Sequence, residues 1–139
     1  MSEERLLTRR RFIALAVAFT APLLPGAGEG VVGLVDPRRA ATARLTAPLR
    51  HRDSAARIGR AYLLAQPGDA GASRLVDTIV AAIATESGST DPLAADDATL
   101  AELLARRIVT DFASRDVAVV EGWVLSRTEA RLCALVALA

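Results

Sequence analysis

The 139-residue chain contains no lysine: all seventeen of its basic residues are arginine. It also has one cysteine, one histidine, one tryptophan and one tyrosine. Each shortage excludes some chemistry. With Cys133 alone, no internal disulfide can form, even in an oxidising compartment. His51 and Cys133 lie far apart in sequence and cannot build a structural zinc site by themselves. A Ser-His-Asp triad would depend entirely on His51, which stands between Arg50 and Arg52 just ahead of a helix start and reads as a solvated cap or linker residue. Cys133 lies mid-helix on an apolar surface, with its neighbouring cation Arg131 on another side of the helix. It therefore reads as a small buried hydrophobe rather than a reactive thiol. The exclusive use of arginine, with abundant alanine, points to a GC-rich genome more than to a mechanism.

Charge is close to balanced, with a formal net of +1. Setting aside Arg5, Arg9, Arg10 and Arg11 leaves 13 arginines against 14 acidic residues after Ala27. The basic excess thus belongs to the amino terminus, and the remainder lacks the cationic face that nucleic-acid binding needs. At this length the chain holds one domain, with a modest core.

At the amino terminus, Thr8-Arg9-Arg10-Arg11-Phe12-Ile13 precedes an apolar run from Phe12 to Leu24. A positive region followed by about thirteen apolar residues suits an export signal and is shorter than the roughly 20 residues needed to span a bilayer. This segment resembles the twin-arginine (Tat) signal, which directs already folded proteins across the membrane. It departs from that pattern at Ala14, where lysine is common. The export-signal residues are Thr8, Arg9, Arg10, Phe12 and Ile13, with Arg9 and Arg10 expected to contact the Tat translocase. Cleavage is open between Gly26-Ala27-Gly28 and Val31-Val32-Gly33; retention of the signal would leave the protein membrane-associated.

The sequence divides into a signal peptide (1–30), a linker (31–50) and a small helical domain (51–139). Gly33, Pro37 and Pro48, after the glycines at 26, 28 and 30 that end the signal, give the linker its irregular reading, relieved only by a short helical turn from Pro37 through Ala43. Three helices follow: from Asp53 or Ser54 to Ala65, ended by Gln66-Pro67-Gly68; from Ser73 to Glu86; and from Asp96 or Asp97 to Ser114. Val117 to Leu125 is rich in β-branched residues and reads as two strand arms around Glu121-Gly122. Ser126-Arg127-Thr128-Glu129 matches a capping box and opens a last helix, Thr128 to Leu138. The expected fold is mainly α: a small bundle of about four helices with one short hairpin, preceded by a signal peptide.

No catalytic, metal or cofactor site assembles from these residues. Asp96, Asp97 and Glu102 lack the spaced oxygen ligands and glycine of a calcium loop, and acidic residues suit a helix start without a metal. Gly26-Ala27-Gly28-Glu29-Gly30 has neither a strand before it nor a helix after it, as a dinucleotide loop requires. Trp123 is either a lock on the core or an anchor for a partner. The last helix is apolar up to Ala139, so it is either packed inside the domain or shared with another subunit. Trp123, Leu132, Leu135 and Val136 are accordingly the candidate partner-binding residues.

Two runs, Arg57-Ile58-Gly59-Arg60-Ala61-Tyr62-Leu63 and Gly122-Trp123-Val124-Leu125-Ser126-Arg127-Thr128-Glu129-Ala130-Arg131-Leu132-Cys133-Ala134-Leu135, resemble a group of small bacterial Tat-signal proteins without an assigned activity. A second likeness, of layout alone, is to the Tat-bearing small subunits of membrane-associated flavin dehydrogenases, which escort a signal-less catalytic subunit. These usually contain an additional length of chain that is missing here. The reading this supports is a non-catalytic, Tat-exported periplasmic accessory protein, the small subunit or escort of a larger redox subunit. The signal segment is its membrane contact, and it needs no cofactor of its own. The alternative is a free-standing periplasmic binding module with Tyr62 and Trp123 lining a small pocket.

Overall fold

The computed structural model describes residues 36–139. The expected export-signal residues Thr8, Arg9, Arg10, Phe12 and Ile13 lie outside them. Five helices and one hairpin follow in the order α1 (Pro37–Thr46), α2 (Arg52–Ala65), α3 (Ala72–Ser87), α4 (Asp97–Ala113), β1 (Val117–Val120), β2 (Trp123–Ser126) and α5 (Arg127–Leu138). The fold is mainly helical, as the periodicity predicts. Short 3₁₀ turns at Pro67–Asp69 and Pro92–Ala94 join α2 to α3 and α3 to α4.

The expected linker over 31–50 needs correcting within its described part. Pro37 sits at the first position of a full helix, and the Asp36 carboxylate accepts from the Arg38 N–H at 3.0 Å as its N-cap. Ala41, Leu45, Thr46 and Leu49 are buried. Arg44 ties this helix across the molecule, donating to the carbonyls of Leu93 and Ala95 and pairing with Asp97 at 2.8 Å. The sequence marks this helix only as a turn from Pro37 through Ala43, because its apolar stripe is small and Pro48 follows closely. Its anchoring arginine finds partners some fifty residues away, beyond the reach of any local pattern.

The other boundaries follow local chemistry. Helix α3 ends at Gly88, whose φ of 65° is the left-handed conformation that glycine adopts without steric penalty. Asp96 caps α4 through the Thr99 N–H. At its other end, Arg115 takes a positive φ, and the Asp116 and Arg115 N–H groups bond to the Asp111 and Phe112 carbonyls in a Schellman arrangement. This turns the chain into β1.

The hairpin pairs Val117 with Ser126, Ala118 with Leu125, Val119 with Val124 and Val120 with Trp123. Its two turn residues, Glu121 and Gly122, both have positive φ, which matches the right-handed twist of a two-residue hairpin. Ala118, Val120 and Leu125 face the core, whereas Val119 is exposed. Two strands alone are marginal, so this packing holds the hairpin in place. Arg57 on α2 also reaches the turn, at 3.5 Å from Glu121.

Helix α5 lies at the centre and packs against the other four helices and both strands. Its approach to α2 is the closest feature of the core. A Cβ built on Gly59 would stand 2.0 Å from the Cys133 carbonyl oxygen, well inside van der Waals contact. The small buried residues Ala55 on α2 and Ala130 and Ala134 on α5 extend the zone where the two backbones can meet. Replacing Gly59 by alanine must push apart two helices whose backbones cannot yield like a side chain. Gly59→Ala is expected to lose about 3 kcal/mol in urea unfolding, at the upper end of overpacking costs. Gly68→Ala, where the new Cβ meets nothing within 4 Å, should change stability by less than about 0.5 kcal/mol. Equal effects at both sites would contradict the packing.

Candidate functional site

Among the candidate partner residues, the structure separates two pairs. Trp123 and Val136 are half-buried and packed on the core, so each retains a face toward solvent. Leu132 and Leu135 are buried, Leu135 completely. They cannot meet a partner in this fold. The apolar run of α5 is consumed by the domain itself, because the helix is enclosed on several sides, and of its large side chains Leu138 reaches solvent. The strongly exposed apolar residues are elsewhere: Leu64 on α2, Val109 on α4 and Val119 on β1. Sequence reading passed over these three, since each belongs to an element whose other residues form a good apolar stripe.

Tyr62 is withdrawn into the core. It is 1% exposed, and its phenol donates to the Asp69 carboxylate. Arg131 Nε donates to the same Asp69 oxygen at 3.2 Å, so the three side chains join α2, the 3₁₀ turn and α5. Burial raises the Tyr62 pKa, and the bond to Asp69 adds to this. Burial alone would raise Asp69 as well, but the bonds from Tyr62 and Arg131 outweigh it and hold the carboxyl below its ordinary value. The group is a fully partnered tie between elements.

A second cluster surrounds the amino end of α5, where free N–H groups would otherwise be buried without acceptors. The Arg127 N–H donates to the Asp116 carbonyl at 2.9 Å. The Thr128 N–H donates to Asp111 Oδ2 at 2.8 Å, and the Glu129 N–H to Ser126 Oγ at 3.0 Å. Glu129 returns the contact by accepting from the Ser126 N–H at 2.9 Å, completing the capping box. Asp111 is 1% exposed, and its other oxygen pairs with Arg107 at 2.6 Å. Arg107 in turn lies 3.4 Å from Glu86 on α3.

Asp111 is the residue that sequence reading missed. The available signal was its position, three residues after Ile108 and seven after Leu104, on the apolar stripe of α4. A carboxylate there is either an error of pattern or the acceptor for something buried, and here it is a cap supplied from another helix.

Two buried carboxylates close to a helix start resemble an acid–base pair in composition, but every hydrogen bond they make goes to a cap or an arginine. Burial pushes the Glu129 carboxyl up; the Ser126 bonds pull it down without compensating, and the charge of Asp111 adds to the rise. The Cys133 thiol is pushed up to about 12, chiefly by burial and further by Glu129. At neutral pH it is an inert thiol in the α2–α5 contact. His51 occupies the N-cap position of α2 and is exposed. Asp96 caps α4, Asp97 pairs with Arg44, and Glu102 pairs with Arg106 at 2.6 Å one turn on. Among the described residues, no group of three or more His, Cys, Asp or Glu side chains is arranged to hold a metal ion.

The direction of the Glu129 shift fixes a pH dependence. A carboxyl that holds its proton more tightly folded than unfolded contributes stability below its unfolded pKa, near 4.5, and loses it as pH rises through the folded value. Glu129→Gln keeps an acceptor for the Ser126 N–H and removes the titration. Urea midpoints measured from pH 4 upward should show wild type losing stability relative to Glu129→Gln as pH increases. A constant difference across that range would contradict the assignment. Asp69 contributes in the opposite sense, losing its share as pH falls, but it is common to both proteins and cancels.

The runs 57–63 and 122–135 fall on α2 and on the hairpin turn, β2 and α5, with α2 and α5 meeting at Gly59 and Cys133. No family model, curated protein or solved structure matches this chain.

Proposed function

We propose that this chain is a Tat-exported, non-catalytic accessory protein of the periplasm, the small subunit or escort of a larger oxidoreductase. The observation that carries the reading is the run Thr8-Arg9-Arg10-Arg11-Phe12-Ile13 ahead of an apolar segment. Folded export suits a protein that leaves the cytoplasm with something attached. The domain behind the signal supports this role. It has near-zero net charge, and its buried titratable side chains are committed to capping and to ties between helices. Arg9 and Arg10 engage the translocase. The half-buried Trp123 and Val136 offer apolar surface to the carried subunit.

Replacing both Arg9 and Arg10 by lysine should stop export and leave folded protein in the cytoplasm. Export of that variant at the wild-type rate would refute the signal assignment. Gentle isolation of the wild-type protein from periplasm, followed by mass spectrometry, should recover a larger redox subunit with it. Recovery of a well-folded monomer alone would refute the escort role while leaving the export reading intact.

A further inference from the structure

Charge is divided unevenly along the described chain. From Asp36 to Arg74 there are eight arginines against three acidic residues, and from Leu75 to Ala139 five arginines against ten. Two arginines of the basic half, Arg44 and Arg57, are spent on the acidic half through Asp97 and Glu121. Three others, Arg38, Arg39 and Arg52, line a single cleft of about 400 Å³ bounded by α1 and by residues from the starts of α2 and α3 and the end of α5. None of the three forms a salt bridge among the described residues.

The cleft is prepared for an anion in more than charge. The Arg52 guanidinium is steadied by Thr46 Oγ1 at 3.3 Å, and that buried hydroxyl is itself anchored on the Thr42 carbonyl at 2.8 Å. Asp36 is the one acidic side chain in the lining, and its carboxylate accepts from the Arg38 N–H. Ser73 adds a hydroxyl from the first turn of α3, a 16-residue helix whose N-cap, Gly71, supplies no side-chain acceptor. That turn is the positive end of the helix dipole. On the opposite side Leu138 presents a half-open apolar wall. A volume near 400 Å³ exceeds a single inorganic ion and falls within the range of small-molecule sites.

We propose that this cleft binds a small amphipathic anion, with a phosphate or carboxylate head held between the α1 arginines and Arg52 and a short apolar body against Leu138. The site is independent of the escort role and of the signal.

Titration of the full chain with hexyl phosphate, hexanoate and the uncharged control hexanol tests it, by calorimetry and thermal shift. At least one of the two anions should bind saturably and raise the melting temperature, whereas hexanol should do neither; which anion is preferred identifies the head group. The Arg38→Gln/Arg39→Gln variant should melt close to wild type, since both side chains are exposed and hold no other element. It should bind the preferred anion at least about tenfold more weakly, as expected for loss of charge-assisted hydrogen bonds. Equal binding of hexanol, unchanged affinity in the variant, or no saturable response to either anion would overturn the proposal. So would a lowered melting temperature in the variant with no anion response in wild type, which would make these arginines counter-charges for the carboxyl end of α5.

Discussion

The fold depends on how closely two backbones approach. Helix α5 can sit at the centre of so small a domain because Gly59 on α2 lets its Cys133 carbonyl come within a distance that any Cβ would block. Once α5 is there, it touches every other helix and both strands, and it fills the core with Leu132, Cys133 and Leu135. A central helix brings a cost. Its amino end is withdrawn from water, and each free N–H there must be given an acceptor. The Asp116 carbonyl, the Asp111 carboxylate and the Ser126 hydroxyl answer that requirement one by one. Close packing on one side and a complete cap at the start are two parts of one solution.

This arrangement shows why some of the molecule was legible in the sequence. Helices α2 to α5 and the hairpin announce themselves through patterns closed within a few residues. Pro67 stops α2, Glu121-Gly122 makes the turn, and Ser126 with Glu129 forms the capping box. Helix α1 was legible only as a turn from Pro37 through Ala43, because Arg44, which ties it down, finds its partners at the carbonyl of Ala95 and at Asp97 in α4. Asp111 was hidden for the same reason: its meaning resides in Thr128, seventeen residues on and in another helix. The candidate site fared unevenly. Trp123 and Val136 keep a solvent face, but the apolarity of Leu132 and Leu135 signalled core rather than contact. Nothing local distinguishes an apolar face that meets a partner from one that meets its own domain. Tyr62 illustrates the converse, an aromatic that looks like a ligand platform but is fixed by Asp69 and Arg131 on long-range elements.

The division of labour that emerges is between surface and interior. Buried charges stabilise geometry, and each has its partner. Three exposed arginines of the first half, Arg38, Arg39 and Arg52, line one cleft, whereas the hairpin displays Val119 on its outer face.

Native-state hydrogen exchange tests the central claim most directly, since it ranks the helices by the free energy needed to open them. If α5 is the hub, its interior amides and those of α2 around Gly59 should exchange only through global unfolding, with the same urea dependence as the whole domain. The amides of α1 should open earlier. Exchange of the α5 interior by a local opening, ahead of α3 and α4, would contradict the account.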